Sequence, residues 1–309
     1  MTGAPLSSAT DATSRTAEYE VVVVTYYSRE QLEGFLGTVR PDQRLVVVDN
    51  ASGADGVPEV VSRLSNGRTL DGRNSGFARA ANSGVGTSSA EYIVFGNPDS
   101  RPTPEVWDTL VADLARDPGL GSVAAATVDR SGHIEIGVGG WEPTPRRVLI
   151  YALGLHRIFT TAGTVARPEI GEHVDLDWMT GACLAVRRQV FLDLGGFDER
   201  YFVYNEDMAF GRAVREAGLR QMLRTDLLVP HATGGSGGGT KMPQQRGASM
   251  AQYLLDNNGR FAALFMRLVL AIGMLPRIAV AMARGRRNVA RHHAAFIKGI
   301  MTKRSPYRP

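Results

Sequence analysis

Tyr92-Ile93-Val94-Phe95-Gly96-Asn97-Pro98-Asp99 is the stretch on which the fold of this chain turns. Four apolar residues run without alternation, then stop at a glycine, a proline and a carboxylate. Such a run predicts a strand covered on both faces, as in a parallel sheet. Pro98 has no N–H to give a ladder, so the chain leaves the sheet there. Asp99 is thereby delivered to the carboxyl edge of the sheet, where open α/β folds hold their ligands. An acid at that edge can hold a divalent cation against a diphosphate. The rival reading is that Asp99-Ser100 caps a helix beginning near Pro104.

Toward the N-terminus, Tyr19 to Thr25 (Tyr-Glu-Val-Val-Val-Val-Thr) is a second β-branched run and predicts another buried strand. A helix is predicted over Ser28 to Val39, with Ser28 as N-cap and Leu32, Phe35, Leu36 and Val39 on one face. Leu45 to Val48 predicts a strand that ends in Asp49-Asn50-Ala51-Ser52-Gly53. Val57 to Leu64 follows as a short helix, Thr69-Leu70 as a minimal strand and Ala78 to Val85 as a helix. Strand and helix alternate four times, so the expected class is α/β, a mostly parallel sheet with right-handed crossovers. A dinucleotide-binding fold shares this alternation. Here Thr25-Tyr26-Tyr27-Ser28-Arg29-Glu30 stands where its glycine-rich turn belongs, and without glycines a pyrophosphate gains no close backbone approach.

The totals set the outer bounds. A chain of 309 residues can bury a full core and carry an appendage. At 43% apolar and 21% charged it is not globally disordered. The lone Cys183 excludes an internal disulfide and fits a reducing compartment. Met1 to Thr16 is polar, lacks an apolar h-region and is expected to be a flexible tail rather than a secretory signal. No stretch reads as the roughly 20 apolar residues that span a bilayer. After Asp256 there is no Asp or Glu but eleven Lys and Arg; subtracting these from the net +4 leaves −7 for residues 1–256. An acidic body with a basic tail points to an anionic partner for the tail alone.

Eight short motifs stand in order over residues 20–231. They are Val21-Val22-Val23-Val24-Thr25-Tyr26, Val47-Val48-Asp49-Asn50-Ala51-Ser52, Arg73-Asn74-Ser75-Gly76-Phe77-Ala78-Arg79-Ala80-Ala81-Asn82 and Asn97-Pro98-Asp99. After these come Trp178-Met179-Thr180-Gly181-Ala182-Cys183, Gly195-Gly196-Phe197-Asp198-Glu199, Tyr201-Phe202-Val203-Tyr204-Asn205-Glu206-Asp207 and Val229-Pro230-His231. Together they resemble the inverting glycosyltransferases of family 2, which have the GT-A fold. Within that family the chain is most similar to bacterial rhamnosyltransferases acting on lipid-linked or polysaccharide acceptors. The resemblance implies a flexible tail over 1–17 and a GT-A domain over 18–240, with a nucleotide-binding half at about 18–100 and an acceptor half at about 101–240. A basic helical extension occupies 241–309.

Residue by residue, the resemblance puts the nucleoside on Thr25, Tyr26, Asp49 and Asn50, although Asp49-Asn50 also suits a plain turn. Arg73, Asn74, Gly76 and Phe77 open a helix, with Ser75 or Asn74 as its cap. Free N–H groups and a guanidinium there suit a diphosphate, and Asn82 is expected to face the same site. Asn97-Pro98-Asp99 takes the place of the family's Asp-x-Asp metal motif with its first acid missing. Asp99, with His231 as a further ligand, is therefore the expected holder of Mg²⁺ or Mn²⁺. Glu206-Asp207 opens the helix Met208 to Ala217. Asp207 is the implied general base and Glu206 its partner, against the rival that both merely complement the helix dipole. The dipole is expected to lower the pKa of Asp207, leaving positioning to supply much of the rate. Trp178, Thr180 and Gly181 form the implied acceptor side, with Trp178 as an aromatic platform or, on the rival reading, a core residue.

The implied donor is dTDP-rhamnose, as dTDP-β-L-rhamnose, with UDP-galactose or UDP-glucose types as the alternative. The implied acceptor is a glycan or a polyprenyl-diphosphate-linked acceptor. A non-catalytic sugar-nucleotide or glycan-binding homologue and a nucleotidyltransferase are the readings of other classes. Asp129 to His173 matches no family piece and reads as an acceptor-side insertion. Gly234 to Gly239 reads as a loop that orders over donor or as a linker. Ser249 to Ile272 predicts a helix broken at Pro276, with a second helix running to about Lys298. Its apolar face beside acid-free cations suits an anionic membrane surface, hence a cytoplasmic protein peripheral to the inner face of the plasma membrane. A homodimer through these helices is the rival use, and no nucleic-acid motif stands among the cations.

Overall fold

The computed structural model describes residues 18–232 and 239–307, so the expected tail 1–17 and all but Gly239 of the glycine run lie outside the described residues. In chain order the first half runs β1 (Tyr19–Thr25), α1 (Arg29–Leu36), β2 (Leu45–Asp49), α2 (Val57–Val61), β3 (Gly67–Asp71), α3 (Phe77–Gly86), β4 (Tyr92–Gly96), α4 (Pro104–Arg116) and β5 (Leu120–Val128). Then follow β6 (Gly139–Gly140), α5 (Pro145–Ala152), β7 (His173–Leu176), β8 (Trp178–Met179), β9 (Cys183–Arg187), α6 (Arg188–Asp193), α7 (Glu206–Glu216) and β10 (Arg220–Pro230). Three helices close the chain: α8 (Lys241–Asn257), α9 (Arg260–Ala283) and α10 (Arg287–Thr302).

The main sheet has the order β3-β2-β1-β4-β9-β5-β10-β7. Its left half is parallel, as the β-branched runs predicted, with Thr25 in register with Asp49 and Asp49 with Asp71. β9 is wedged antiparallel between β4 and β5. The unbroken runs are explained by two cores, one on each face of the sheet. Val21, Val23, Leu45, Val47, Tyr92 and Val94 face α1, α2 and α4, while Val22, Val46, Val48, Ile93 and Phe95 face α3, α6 and α7. With both faces covered by helices, the central positions of these three strands are apolar without alternation.

Several local expectations are corrected. Ser28 stands at the N-cap position of α1 as expected, but its hydroxyl bonds no helix N–H: it accepts the Tyr26 N–H, and the Arg29 N–H goes to Asp55 of a neighbouring loop. The residue at the start of α3 is Gly76 rather than Ser75 or Asn74, and the Phe77 N–H is taken by the Phe202 carbonyl at 2.6 Å. Thr103 occupies the N-cap position of α4, so Asp99-Ser100 is not its cap.

The C-terminal helices depart furthest from expectation. The break falls at Asn258-Gly259, and Pro276 sits inside α9 without ending it. The proline forfeits one backbone bond, which the packed turn around it offsets: Gly273 lies so close to Ala152 of α5 that an added Cβ would come within 2.8 Å, and Met274 is buried. By length and composition α9 is long and apolar enough to cross a membrane, contrary to the linear reading. Arg267 interrupts the run on paper, but its guanidinium is turned inward and donates to the Ile300 and Met301 carbonyls at the end of α10. Those carbonyls are among the acceptors that a helix end leaves without partners. α8 and α10 touch backbone to backbone through Gly247 and Gly299, where an added Cβ would meet the opposing carbonyl at 2.3 Å and 2.0 Å.

Candidate active site

The parallel strands place their carboxyl ends at one edge, and four loops close around it. The Asn97 N–H donates to the Ala182 carbonyl at 3.1 Å, Gly181 lies beside the Phe77 ring, and the Phe77 N–H joins Phe202, which leads into α7. The loops bearing Asp99, Gly181, Gly76 and Asp207 are thus linked in sequence around the edge.

The backbone here is unusual. Tyr27, Ser52, Arg73, Asn74, Tyr204 and Asn205 all have positive φ, a conformation that costs a residue with a Cβ and collects at functional sites. Gly76 needs its freedom twice, for φ +90° and because a Cβ would strike the Phe202 carbonyl at 2.3 Å. At Gly181 an added Cβ would make only ordinary contact with Phe77, at 3.5 Å, so no neighbour within the described chain demands glycine there.

On the nucleotide side, Asp49 is buried and accepts from Thr25 Oγ1 (3.2 Å), Ala51 N–H (2.9 Å) and Gly53 N–H (2.6 Å). Its carboxylate therefore shapes the 49–53 loop. Asn50 accepts from the Ser75 N–H and donates to the Gly76 carbonyl, fastening the 72–76 loop to β2. Tyr26 is 47% exposed beside this pair and stands edge-on to Tyr27. Arg73 points to solvent and pairs with Asp71 at 3.5 Å, while the Asn82 amide is spent on both backbone groups of Phe197. Neither meets Asp99. Trp178, expected as an open platform, is buried among Tyr201, Met208 and Tyr253, with its indole N–H on the Thr164 carbonyl. It is a wall beneath α7. Thr180 gives its N–H to the Val138 carbonyl.

Asp99 and His231 do come together. Asp99 Oδ1 lies 3.0 Å from His231 Nε2, and Asn97 Nδ2 lies 3.5 Å from the same nitrogen. The other ring nitrogen, Nδ1, is 2.8 Å from Glu135 Oε2, which also accepts from Thr127. Burial alone would push the imidazole pKa down, but the Asp99 and Glu135 carboxylates outweigh it and hold it above its ordinary value. No cluster of three His, Cys, Asp or Glu suited to a metal exists among the described residues. The two-residue donor set still fits a cation bound mainly through substrate phosphates. Asp99 Oδ1 and His231 Nε2 stand side by side, 3.0 Å apart, so the two would be available together as ligands to such a cation. Glu135 on the far nitrogen is the carboxylate that usually orients a ligating histidine.

At the start of α7 the environment reverses. Glu206 is buried, and its Oε2 has no hydrogen-bond partner among the described residues. Burial, then the neighbouring charge of Asp207, raises its pKa well above the usual range. Asp207 is pushed up to about 6 by burial, against the Met208 N–H and the charge of Arg246. The expectation that the helix dipole lowers the pKa of Asp207 is corrected: desolvation wins. Glu135 and Arg246 went unnoticed in the sequence. Glu135 lies in the insertion that matched no motif, and Arg246, whose guanidinium lies 4.7 Å over the Tyr204 ring, lies beyond the last of them.

Two solved structures share this fold. A mannosyltransferase from Pyrobaculum calidifontis, in complex with GDP-Man and Mn2+, superposes with TM-score 0.59 at 18% identity, over 93% of this chain and 87% of that one. Residues 1–349 of S. aureus TarS superpose with TM-score 0.51 at 13% identity, over 93% and 90%. The architecture is GT-A. In sequence, the profile of glycosyl transferase family 2 matches residues 20–166. An N-acetylglucosaminyl-diphospho-decaprenol L-rhamnosyltransferase of Mycobacterium tuberculosis is 31% identical over 226 residues, 64% of this chain and 70% of that protein. A low-salt glycan biosynthesis hexosyltransferase of Haloferax volcanii is 24% identical over 204 residues, covering 64% and 62%. This chain belongs to glycosyltransferase family 2.

Proposed function

We propose that this glycosyltransferase moves L-rhamnose, with inversion, from dTDP-β-L-rhamnose to a hydroxyl of a polyprenyl-diphosphate-linked glycan in cell-envelope biosynthesis. The observation that carries the chemistry is Asp207, a carboxylate of raised proton affinity on the loop circuit that also bears Asp99 and Gly181. Support for the sugar and the acceptor comes from the M. tuberculosis relative, whose name states both.

Thr25, Tyr26, Asp49 and Asn50 bind the nucleoside, Tyr26 offering its exposed ring to the base. The loop of Asn74, Gly76 and Phe77 lies along the diphosphate, and Arg73 exchanges Asp71 for it. Asp99 and His231 hold a Mg²⁺ or Mn²⁺, which when bound neutralises charge on the departing diphosphate. Asp207 accepts the proton of the acceptor hydroxyl as that oxygen bonds to the anomeric carbon and the bond from that carbon to the diphosphate oxygen breaks. With a pKa of about 6, Asp207 is ionised at neutral pH yet more basic than an ordinary aspartate. Glu206 lies beside it, its own pKa raised well above the usual carboxylate range by burial and then by the charge of Asp207. Thr180 and Gly181 border the acceptor. A water-soluble donor and a membrane-borne acceptor meet at the bilayer surface, and on this reading the chain works at the inner face of the plasma membrane.

A hexose donor is the second reading, favoured by the H. volcanii relative. A thermal-shift panel of dTDP-, UDP- and GDP-sugars with Mn²⁺ separates the two, because binding to the native state raises the melting point by mass action. The largest shift is expected with dTDP-rhamnose, and the isolated product is expected to be an α-L-rhamnoside by NMR. A UDP-hexose giving the largest shift replaces the first reading by the second.

A further inference from the structure

α9 is apolar on both of its faces. One side carries Ala263, Met266, Leu270 and Met274 and packs against the rest of the chain. On the other, Phe261, Leu264, Phe265, Leu268, Ile272 and Leu275 recur at three- and four-residue spacing, and all are exposed, from 41% at Leu268 to 91% at Phe261. At 100° per residue they fall on one stripe. The stripe contains no charge and is bracketed by exposed cations, Arg260 at one end and Arg284, Arg286 and Arg287 at the other. An exposed apolar surface of this extent marks an interaction site rather than ordinary surface.

Three occupants are conceivable, and charge and packing choose among them. A second copy laid along the stripe in either direction sets cations against cations, because both ends are basic and the chain holds no acid after Asp256; like-charge juxtaposition opposes that pairing. Crossing a bilayer would strip α9 from α5, α8 and α10 and carry Arg267 into hydrocarbon away from the α10 carbonyls it now holds. Lying flat in a leaflet keeps every one of those contacts. We propose that the exposed face of α9 is a docking surface for an anionic bilayer, the helix axis parallel to the membrane, its apolar stripe among the acyl chains and the flanking arginines among the headgroups. The reading of the acceptor as lipid-linked gives this docking its purpose, but the geometry does not depend on it.

The test is flotation of the full-length chain with vesicles of phosphatidylglycerol and phosphatidylcholine in equal parts, and with phosphatidylcholine alone. Leu268→Asp with Ile272→Asp is expected to reduce partitioning at least about tenfold at any salt. Arg284→Ala, Arg286→Ala and Arg287→Ala are each expected to cost about fivefold on the anionic vesicles only. An unchanged thermal shift with nucleotide-sugar shows that the variants are folded. Variants that float like the wild type overturn the proposal. So does a wild type that resists alkaline carbonate extraction, which means that α9 spans. A wild-type dimer that ignores vesicles and is dissociated by the aspartates overturns it too, and makes the occupant a second copy. Transfer to a short water-soluble acceptor without vesicles tests the enzymatic reading separately.

Discussion

The two carboxylates of the proposed site have opposite surroundings. Asp99 leaves the sheet at Pro98 and meets an imidazole that Glu135 holds from behind, so Asp99 Oδ1, both ring nitrogens of His231 and Glu135 Oε2 each have a neighbour of complementary chemistry. Asp207 opens a helix in a pocket where burial outweighs the donors it has, next to a glutamate with an unpartnered oxygen. The difference teaches that residue type does not assign the role. A carboxylate set against an imidazole that a second carboxylate orients is suited to sharing a cation with it, whereas one whose burial outweighs its donors is suited to taking up a proton.

The largest expected effect comes from erasing the second environment's function while keeping its shape. Asp207→Asn should leave nucleotide-sugar binding by thermal shift intact and lower kcat by about a thousandfold; unchanged turnover removes Asp207 as the base. Next comes the support of the first environment. Glu135→Gln should weaken Mn²⁺ affinity, read by titration calorimetry in the presence of nucleotide, by about tenfold to a hundredfold. A value equal to wild type means that His231 needs no orienting partner. The smallest effect concerns pH. The acidic limb of kcat/KM should fall near pH 6, activity rising as Asp207 loses its proton. Arg246→Gln should move that limb upward, because the guanidinium favours the anion. For stability the sign is the reverse: the fold favours protonated Asp207, so wild-type stability declines as pH rises from the ordinary aspartate range through about 6. Asp207→Asn should flatten that decline in melting temperature.

The parallel half of the sheet was legible because Val21 to Val24, Leu45 to Val48 and Tyr92 to Phe95 need cover on both sides, and only helices on both faces supply it. The meeting of Asp99 with His231, 132 positions apart, was legible only through motif order. Glu135 was not legible: it reaches His231 across 96 residues from a segment without periodicity. The pKa of Asp207 was misjudged because a helix start can be read from sequence, whereas the packing that desolvates it cannot. Pro276 misled for a related reason, since its local penalty is visible and the contact of Gly273 with Ala152 is not.

The glycine seam between α8 and α10 ties the far end of the chain to the loop that precedes the proposed base. Ser249 of α8 holds the Val203 carbonyl in the loop that precedes Asp207, and Arg246 of the same helix covers Tyr204. A bulky side chain at Gly247 or Gly299 would lever the last helix away and drag that loop with it. Lesions in the tail should therefore masquerade as defects in turnover, and an inhibitor wedged into the seam would silence the enzyme without touching either substrate.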